Sequence, residues 1–339
     1  MKFFSRYSFN MKLRCLSALL LPALLLISCS KNDYKIDVKN IVLDDYSVNR
    51  YEIDLINISL DDFYEGLMNI SDKYFVFLGD IANDTTGLHR VYNFAADSGV
   101  RNVYDECLTV YYDFPKFKKD FETAFKHIKY YYPSFTPPNI YTYISGFDFD
   151  YSAFYNGTEM FVALDMYLGE NPNYYALGAP AYIVKRMSKD FVTRDCMEQI
   201  ARHHNSSFDA YTRVIDLMIY HGKNFEFIKR CLPNVHDTII MGYTAAQMKW
   251  CESNEEDVWE YLIADNTLFS NDLRIMKKLI DDAPYTSFFS QESPGSVCKW
   301  IGWRIVHSYM KNTDTSLEEM MRVTDNDRIL NKSGYRPRN

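Results

Sequence analysis

The sequence predicts an α+β fold, mostly α-helical with a small antiparallel sheet, in one globular unit over residues 41–339. Three observations carry this. Hydrophobic residues make up 47% of the 339 residues, enough for a packed core. Long stretches of the second half repeat apolar residues at three- to four-residue spacing, which places them on one helix face. Between helical stretches, residues 140–167 hold β-rich runs around an Asn-Gly pair.

The amino-terminal end reads as a signal. Residues 16–27 are apolar apart from Ser17 and Pro22, and Lys12 and Arg14 precede them; Met11 is an alternative start. A spanning helix needs about 20 apolar residues, so this run is too short and has the layout of a secretory signal over residues 1–28. Leu26-Ile27-Ser28-Cys29 has the order of a bacterial lipobox, with a branched apolar residue first and a small one just before the cysteine. Lipid attachment is therefore expected at Cys29, and residues 29–40 read as a polar tether. Each buried methylene contributes about 0.8 kcal/mol, so several acyl chains hold a protein stably to the bilayer, its first expected partner. Ser30 stands where an Asp often signals inner-membrane retention, which favours the outer membrane, with the body facing the periplasm or the surface.

The remaining elements follow in order. Tyr51, Ile53 and Leu55 alternate with polar residues, as in a strand over Asn49–Ile58. Ser59 then caps a helix whose first turn holds Asp61 and Asp62, favourable against the helix dipole. Residues 115–132 carry Phe117, Phe121, Phe125, Ile128 and Tyr132 at helical spacing, with five lysines on the other faces and prolines beyond. Ile140–Ile144 is a β run. Tyr151–Tyr155 and Thr158–Tyr167 flank Asn156-Gly157, which suits a type I′ hairpin turn. Helices are predicted over Tyr182–His203 and over Phe208–Arg230. Thr244 and Gln247 form a capping box, and Asn254 caps the helix after it. Ser293 and Pro294 open a last helix with the stripe Val297, Trp300, Ile301, Ile305 and Tyr309.

Charge and motifs exclude several functions. The formal net charge is −8, and the four cations among the first 28 residues leave the remainder more acidic still. An acidic surface repels phosphates, so no nucleic-acid partner is expected. The aromatic share of 16% reads first as core and AT-rich codon usage, and second as a stacking surface. Cys107, Cys196, Cys231, Cys251 and Cys298 include no Cys-x-x-Cys pair, so a thiolate zinc site has no support and at least one thiol stays free. No His-Glu-x-x-His, Gly-rich phosphate loop or Gly-x-Ser-x-Gly elbow appears.

The nearest approach to a metal helix is residues 197–204, where Met197 and Ala201 occupy the positions that need histidine. His203 and His204 are adjacent and point about 100° apart, so they cannot grip one ion. No cofactor, metal site or catalytic set is predicted. Candidates for a degenerate or partner site are Asp165 in an apolar strand, Glu198, His203 and His204, together with Trp303 and Arg304 as a contact patch. A buried carboxylate such as Asp165 costs several kcal/mol unless it is hydrogen-bonded or paired, which makes a structural role the first reading.

LDMYLG (164–169), YIVKRM (182–187), GYTAAQMKWCESNEEDVWEYLI (242–263) and SPGSVCKWIGWRIVHSYM (293–310) resemble the gliding-motility lipoprotein B family, GldB-like proteins of Bacteroidetes. The lipobox and the Arg50-Tyr51-Glu52 region fit as well; Ser296 stands where the family pattern has a basic residue. The resemblance implies a membrane lipoprotein. Motility itself is not implied, because relatives occur in non-gliding gut bacteria. A remoter resemblance to zincin-like peptidases implies a scaffold that has lost its zinc. The expected function is a non-enzymatic envelope lipoprotein that meets an envelope protein partner. The alternatives are a divergent peptidase, which needs Glu198 and a histidine to converge in an open cleft, and a glycan- or peptide-binding lipoprotein, which needs several aromatic faces exposed in one groove.

Overall fold

The computed structural model describes residues 34–206, 212–264 and 266–337. Cys29, the signal segment and the first part of the tether lie outside the described residues, as does the start of the helix expected from Phe208.

The first half winds around a small sheet. Strand β1 (Val48–Arg50) runs straight into α1 (Tyr51–Ile56), followed by α2 (Phe63–Ser71), α3 (Phe75–Leu78), α4 (Thr85–Ala96), α5 (Ser98–Val110) and α6 (Phe114–Tyr131). Then come β2 (Asn139–Tyr143), β3 (Ala153–Tyr155) and β4 (Glu159–Ala163). The rest is helical: α7 (Pro172–Ala176), α8 (Ala181–Val184), α9 (Lys189–His204), α10 (Val214–Cys231), α11 (Asp237–Met241), α12 (Ala245–Ser253), α13 (Glu255–Ala264) and α14 (Leu273–Ile280). Last come α15 (Val297–Asn312), α16 (Leu317–Arg322) and α17 (Asn326–Ser333).

The fold class is α+β, as the sequence predicts, but the sheet is mixed rather than antiparallel. Its order is β1-β2-β4-β3. β1 and β4 both run parallel to β2, and only the β3–β4 hairpin is antiparallel. The hairpin inserts its second strand beside β2 and leaves its first at the edge, so β2 and β3, next in sequence, are not next in space. Ile140, Thr142, Met160 and Val162 on one face are fully buried, and α9 packs against β3 and β4. On the other face Phe77 of α3 lies over Tyr141, Tyr143 and Phe161, with ring centroids 5.4–6.0 Å apart.

Helix α10 is the centre of the molecule, buried nearly all round and packed on α15, α9, α14 and α6. It meets α15 at two glycines. A Cβ on Gly222 would collide with the carbonyl of Gly302, and one on Gly302 with the carbonyl of Met218. The backbones therefore touch where no side chain fits.

Several boundaries differ from those predicted. Most of Asn49–Ile58 is helix, because the buried positions are Glu52, Leu55 and Ile56, at i, i+3 and i+4 spacing. A charged residue at a core position hid that period. Ser59 receives the Asp61 N–H in a turn, and the helix starts only at Phe63. In the hairpin Gly157 alone has positive φ (106°), while the Asn156 side chain accepts the Thr158 and Glu159 N–H groups, so the turn is not type I′. The helix expected over Tyr182–His203 is broken by Ser188, whose backbone is extended. Asn254 ends α12. Ser293 and Pro294 lie in a buried turn bonded to Thr286, and α15 begins after Ser296, which is left-handed at φ 54°. The 115–132 helix and the Thr244–Gln247 capping box appear as expected.

Residues 29–33 of the segment read as a tether lie outside the described residues. Tyr34 already docks on the body, its hydroxyl 3.0 Å from Glu226 Oε2 and 2.8 Å from His307 Nδ1.

Candidate functional site

Helix α9 carries Arg194, Glu198 and Arg202 one turn apart, with Asp195 beside the first. These residues line a cleft of about 300 Å³ together with Arg186, His221, Asp282 and Lys299. Two sets of ion pairs fill it. In the first, Arg194 donates to Asp195 at 2.8 Å and to Glu198, whose other oxygen takes the Arg202 fork at 2.6 and 3.2 Å. Tyr167 donates to the second oxygen of Asp195 at 2.9 Å, and Arg194 Nε is held by the carbonyl of Ile240 at 2.9 Å. In the second set, Asp282 binds Arg186 at 2.8 Å and Lys299 at 2.9 Å, and receives the Ser296 hydroxyl at 3.4 Å.

The electrostatics follow from this pairing. Burial raises the Glu198 carboxyl, but Arg194 and Arg202 outweigh it and hold the group well below the usual range. Burial likewise acts against Asp282, and Lys299 and Arg186 pull it down. Asp195 goes the other way, pushed up by burial and by its neighbour Glu198, despite Arg194. Burial, reinforced by Lys299 and Arg202, lowers His221 to about 3, so its ring is neutral at physiological pH. Glu198 is therefore a carboxylate clamped in its charged form between two guanidinium groups.

Asp165 positions one rim of this cleft. It is fully buried and accepts the Ser145 N–H and hydroxyl at 2.9 Å and the Phe147 N–H at 2.7 Å. These bonds hold Phe147 in its left-handed conformation (φ 64°). The loop they fix leads to Phe149 and Ser152, which line the cleft. Its role is that of a satisfied structural carboxylate.

The other candidates stand elsewhere. Met197 and Ala201 are fully buried, so the face that would carry zinc ligands looks into the core. Among the described residues no group of three or more His, Cys, Asp or Glu side chains is placed to hold a metal. His203 packs on Tyr155 at the hairpin. His204 lies between Tyr132 and Phe227 as a core aromatic, lowered to about 4 chiefly by burial. Neither histidine borders the cleft with Glu198; His221 does. Trp303 and Arg304 do not form a contact patch: Trp303 is buried and donates to Glu226 at 3.1 Å, while Arg304 pairs with Glu255 at 3.0 Å. Exposed Tyr64, Tyr112, Tyr130 and Tyr151 stand on four separate segments.

A larger cavity of about 530 Å³ lies among the ends of α5, α6, α9 and α10. It borders Arg194, whose Nε and Nη1 are engaged outside it, and offers no comparable convergence of buried donors.

Of the cleft residues, only Glu198 stands out in the sequence. The Arg194–Glu198–Arg202 spacing at i, i+4 and i+8 is a legible signal of a paired helix face. Arg186, Asp282 and Lys299 are too far apart in sequence to be linked without the fold. A second groove of about 440 Å³ shares Arg186, Tyr243, Asp282 and Ser296 with the cleft. Here the Gly-Tyr-Thr and Ser-Pro-Gly-Ser stretches meet: Tyr243 donates to the carbonyls of Gly295 and Ser296 at 3.0 and 3.2 Å.

A helical body on a small mixed sheet, with a charge-lined cleft between sheet and helices, defines the class of domain. The model of the gliding motility protein GldB family matches residues 31–337, and the chain belongs to that family. No curated protein matches, and no solved structure matches. Among the described residues no helix is long and apolar enough to cross a membrane.

Proposed function

We propose that the protein is a lipid-anchored lipoprotein of the cell envelope that acts as a non-enzymatic binding or assembly component, with the α9 cleft as its recognition site. The observation that carries this is the pairing of the cleft: each oxygen of Asp195, Glu198 and Asp282 already receives a donor. Carboxylates engaged in this way support a recognition role, in which the remaining cationic donors face a ligand. Membership of a lipoprotein family and the lipobox at Cys29 support the anchor. Ser30 after it favours the outer membrane. The family description supports a place among motility-related envelope proteins.

The test is affinity purification from membranes. Cys29→Ala moves the protein from the membrane to the soluble fraction. The wild type co-purifies a stoichiometric envelope protein, and Arg186→Glu/Arg202→Glu, folded by circular dichroism at the capture temperature, loses it. Retention of Cys29→Ala in membranes overturns the anchor, and undiminished capture by the double variant overturns the cleft as the recognition site.

A further inference from the structure

We propose that the cleft takes a carboxylate, presented by the free C-terminal end of an extended peptide. This rests on reading the cleft as a binding site, and it names the ligand. The hydrogen-bond inventory points to an acceptor. Each oxygen of the three lining carboxylates already accepts at least one hydrogen bond. The donors are in surplus. Arg202 spends Nε and Nη2 on Glu198, and Arg186 spends only Nη2 on Asp282; Arg202 Nη1 and Arg186 Nη1 and Nε have no partner among the described residues. Lys299 spends one of its three N–H bonds on Asp282. The His221 ring, neutral and bordering the cavity, has no hydrogen-bond partner among the described residues.

Charge gives the valence. Four cations and three carboxylates line the cleft, leaving one positive charge in a chain whose net charge is −8. A carboxylate matches that surplus, whereas a phosphoryl group carries about −1.5 to −2 at neutral pH. Guanidinium forks also match the planar geometry of a carboxylate. Shape gives the rest of the ligand. The cleft continues past Arg186 into the second groove, where Tyr182, Phe191, Ala283 and Pro284 offer apolar walls to a chain running away from its charged end. Gly295 lets the groove close against the Ala283 carbonyl, where a Cβ has no room.

Isothermal titration of the full-length protein in detergent, with trialanine, trialanine amide, trigalacturonate and inorganic phosphate, tests this. Trialanine binds and its amide binds at least tenfold more weakly. Arg202→Gln weakens trialanine at least fivefold, and Arg202→Lys, which keeps the charge but not the fork, at least threefold. Equal binding of acid and amide, no binding of trialanine, or tighter binding of phosphate overturns the proposal. Binding of trigalacturonate without trialanine overturns the peptide end. Loss of envelope-partner capture with no acid preference would sink the carboxylate and leave the recognition role standing.

Discussion

Glu226 shows how this chain keeps a buried charge. It sits fully buried on α10 and accepts from Trp303, from the Arg230 guanidinium at 2.8 Å and from Tyr34. Burial pushes its carboxyl up, but His307, Arg230 and Trp303 outweigh it and bring it to about 2, against an ordinary 4.5. Because folding depresses this pKa, the stabilisation is complete above about pH 4.5 and drains away as pH falls towards 2. It amounts to roughly 3 kcal/mol. Urea unfolding of Glu226→Gln should show lower stability than wild type at pH 7 and a much flatter profile between pH 4.5 and 2; parallel profiles would refute the assignment. Such residues are hard to read in sequence. Asp165 was legible as a suspicious acid because its neighbours are apolar, and its three donors are the compensation that burial demands. Trp303 was not, because α15 is buried on two faces, one with Trp300 and Ile301 and another with Gly302, Trp303 and Val306. A single-stripe reading assigns that second face to solvent.

Between elements, the most extensive packing is the crossing of α10 and α15. Gly222 and Gly302 remove the side chains there, so the carbonyls of Met218 and Gly302 fill the space a Cβ would take. Gly302→Ala in such a packed interface should cost about 3 kcal/mol, at the upper end of ordinary overpacking. Chemical denaturation measures it, and a loss below about 0.5 kcal/mol would mean that the helices part freely. Helices with one clean apolar face, such as α6, were legible to within a residue. The sheet was legible as strands and not as an order, since parallel pairing of β1, β2 and β4 depends on where the intervening helices deliver the chain. Starts of helices failed where side-chain caps are missing, as at Ser188 and Ser296.

At the scale of the whole molecule, the body holds together without disulfides among the described residues. Cys107, Cys196, Cys231, Cys251 and Cys298 are all buried and free, and burial pushes each thiol above its ordinary value. Maleimide should label these five only after denaturation, with peptide mass spectrometry as the readout. Labelling of any of them in the native protein would show an opening that the packed core does not predict. The cleft could not be anticipated, because its second ion-pair set is gathered from Arg186, Asp282 and Lys299 by the fold alone. Tyr34 has a mechanical consequence. Among the described residues, a pull from the amino-terminal side is taken first by the phenol clasped by α10 and α15, the pair seated glycine to glycine. The load thereby passes into the α10–α15 pair rather than into the three-residue edge strands.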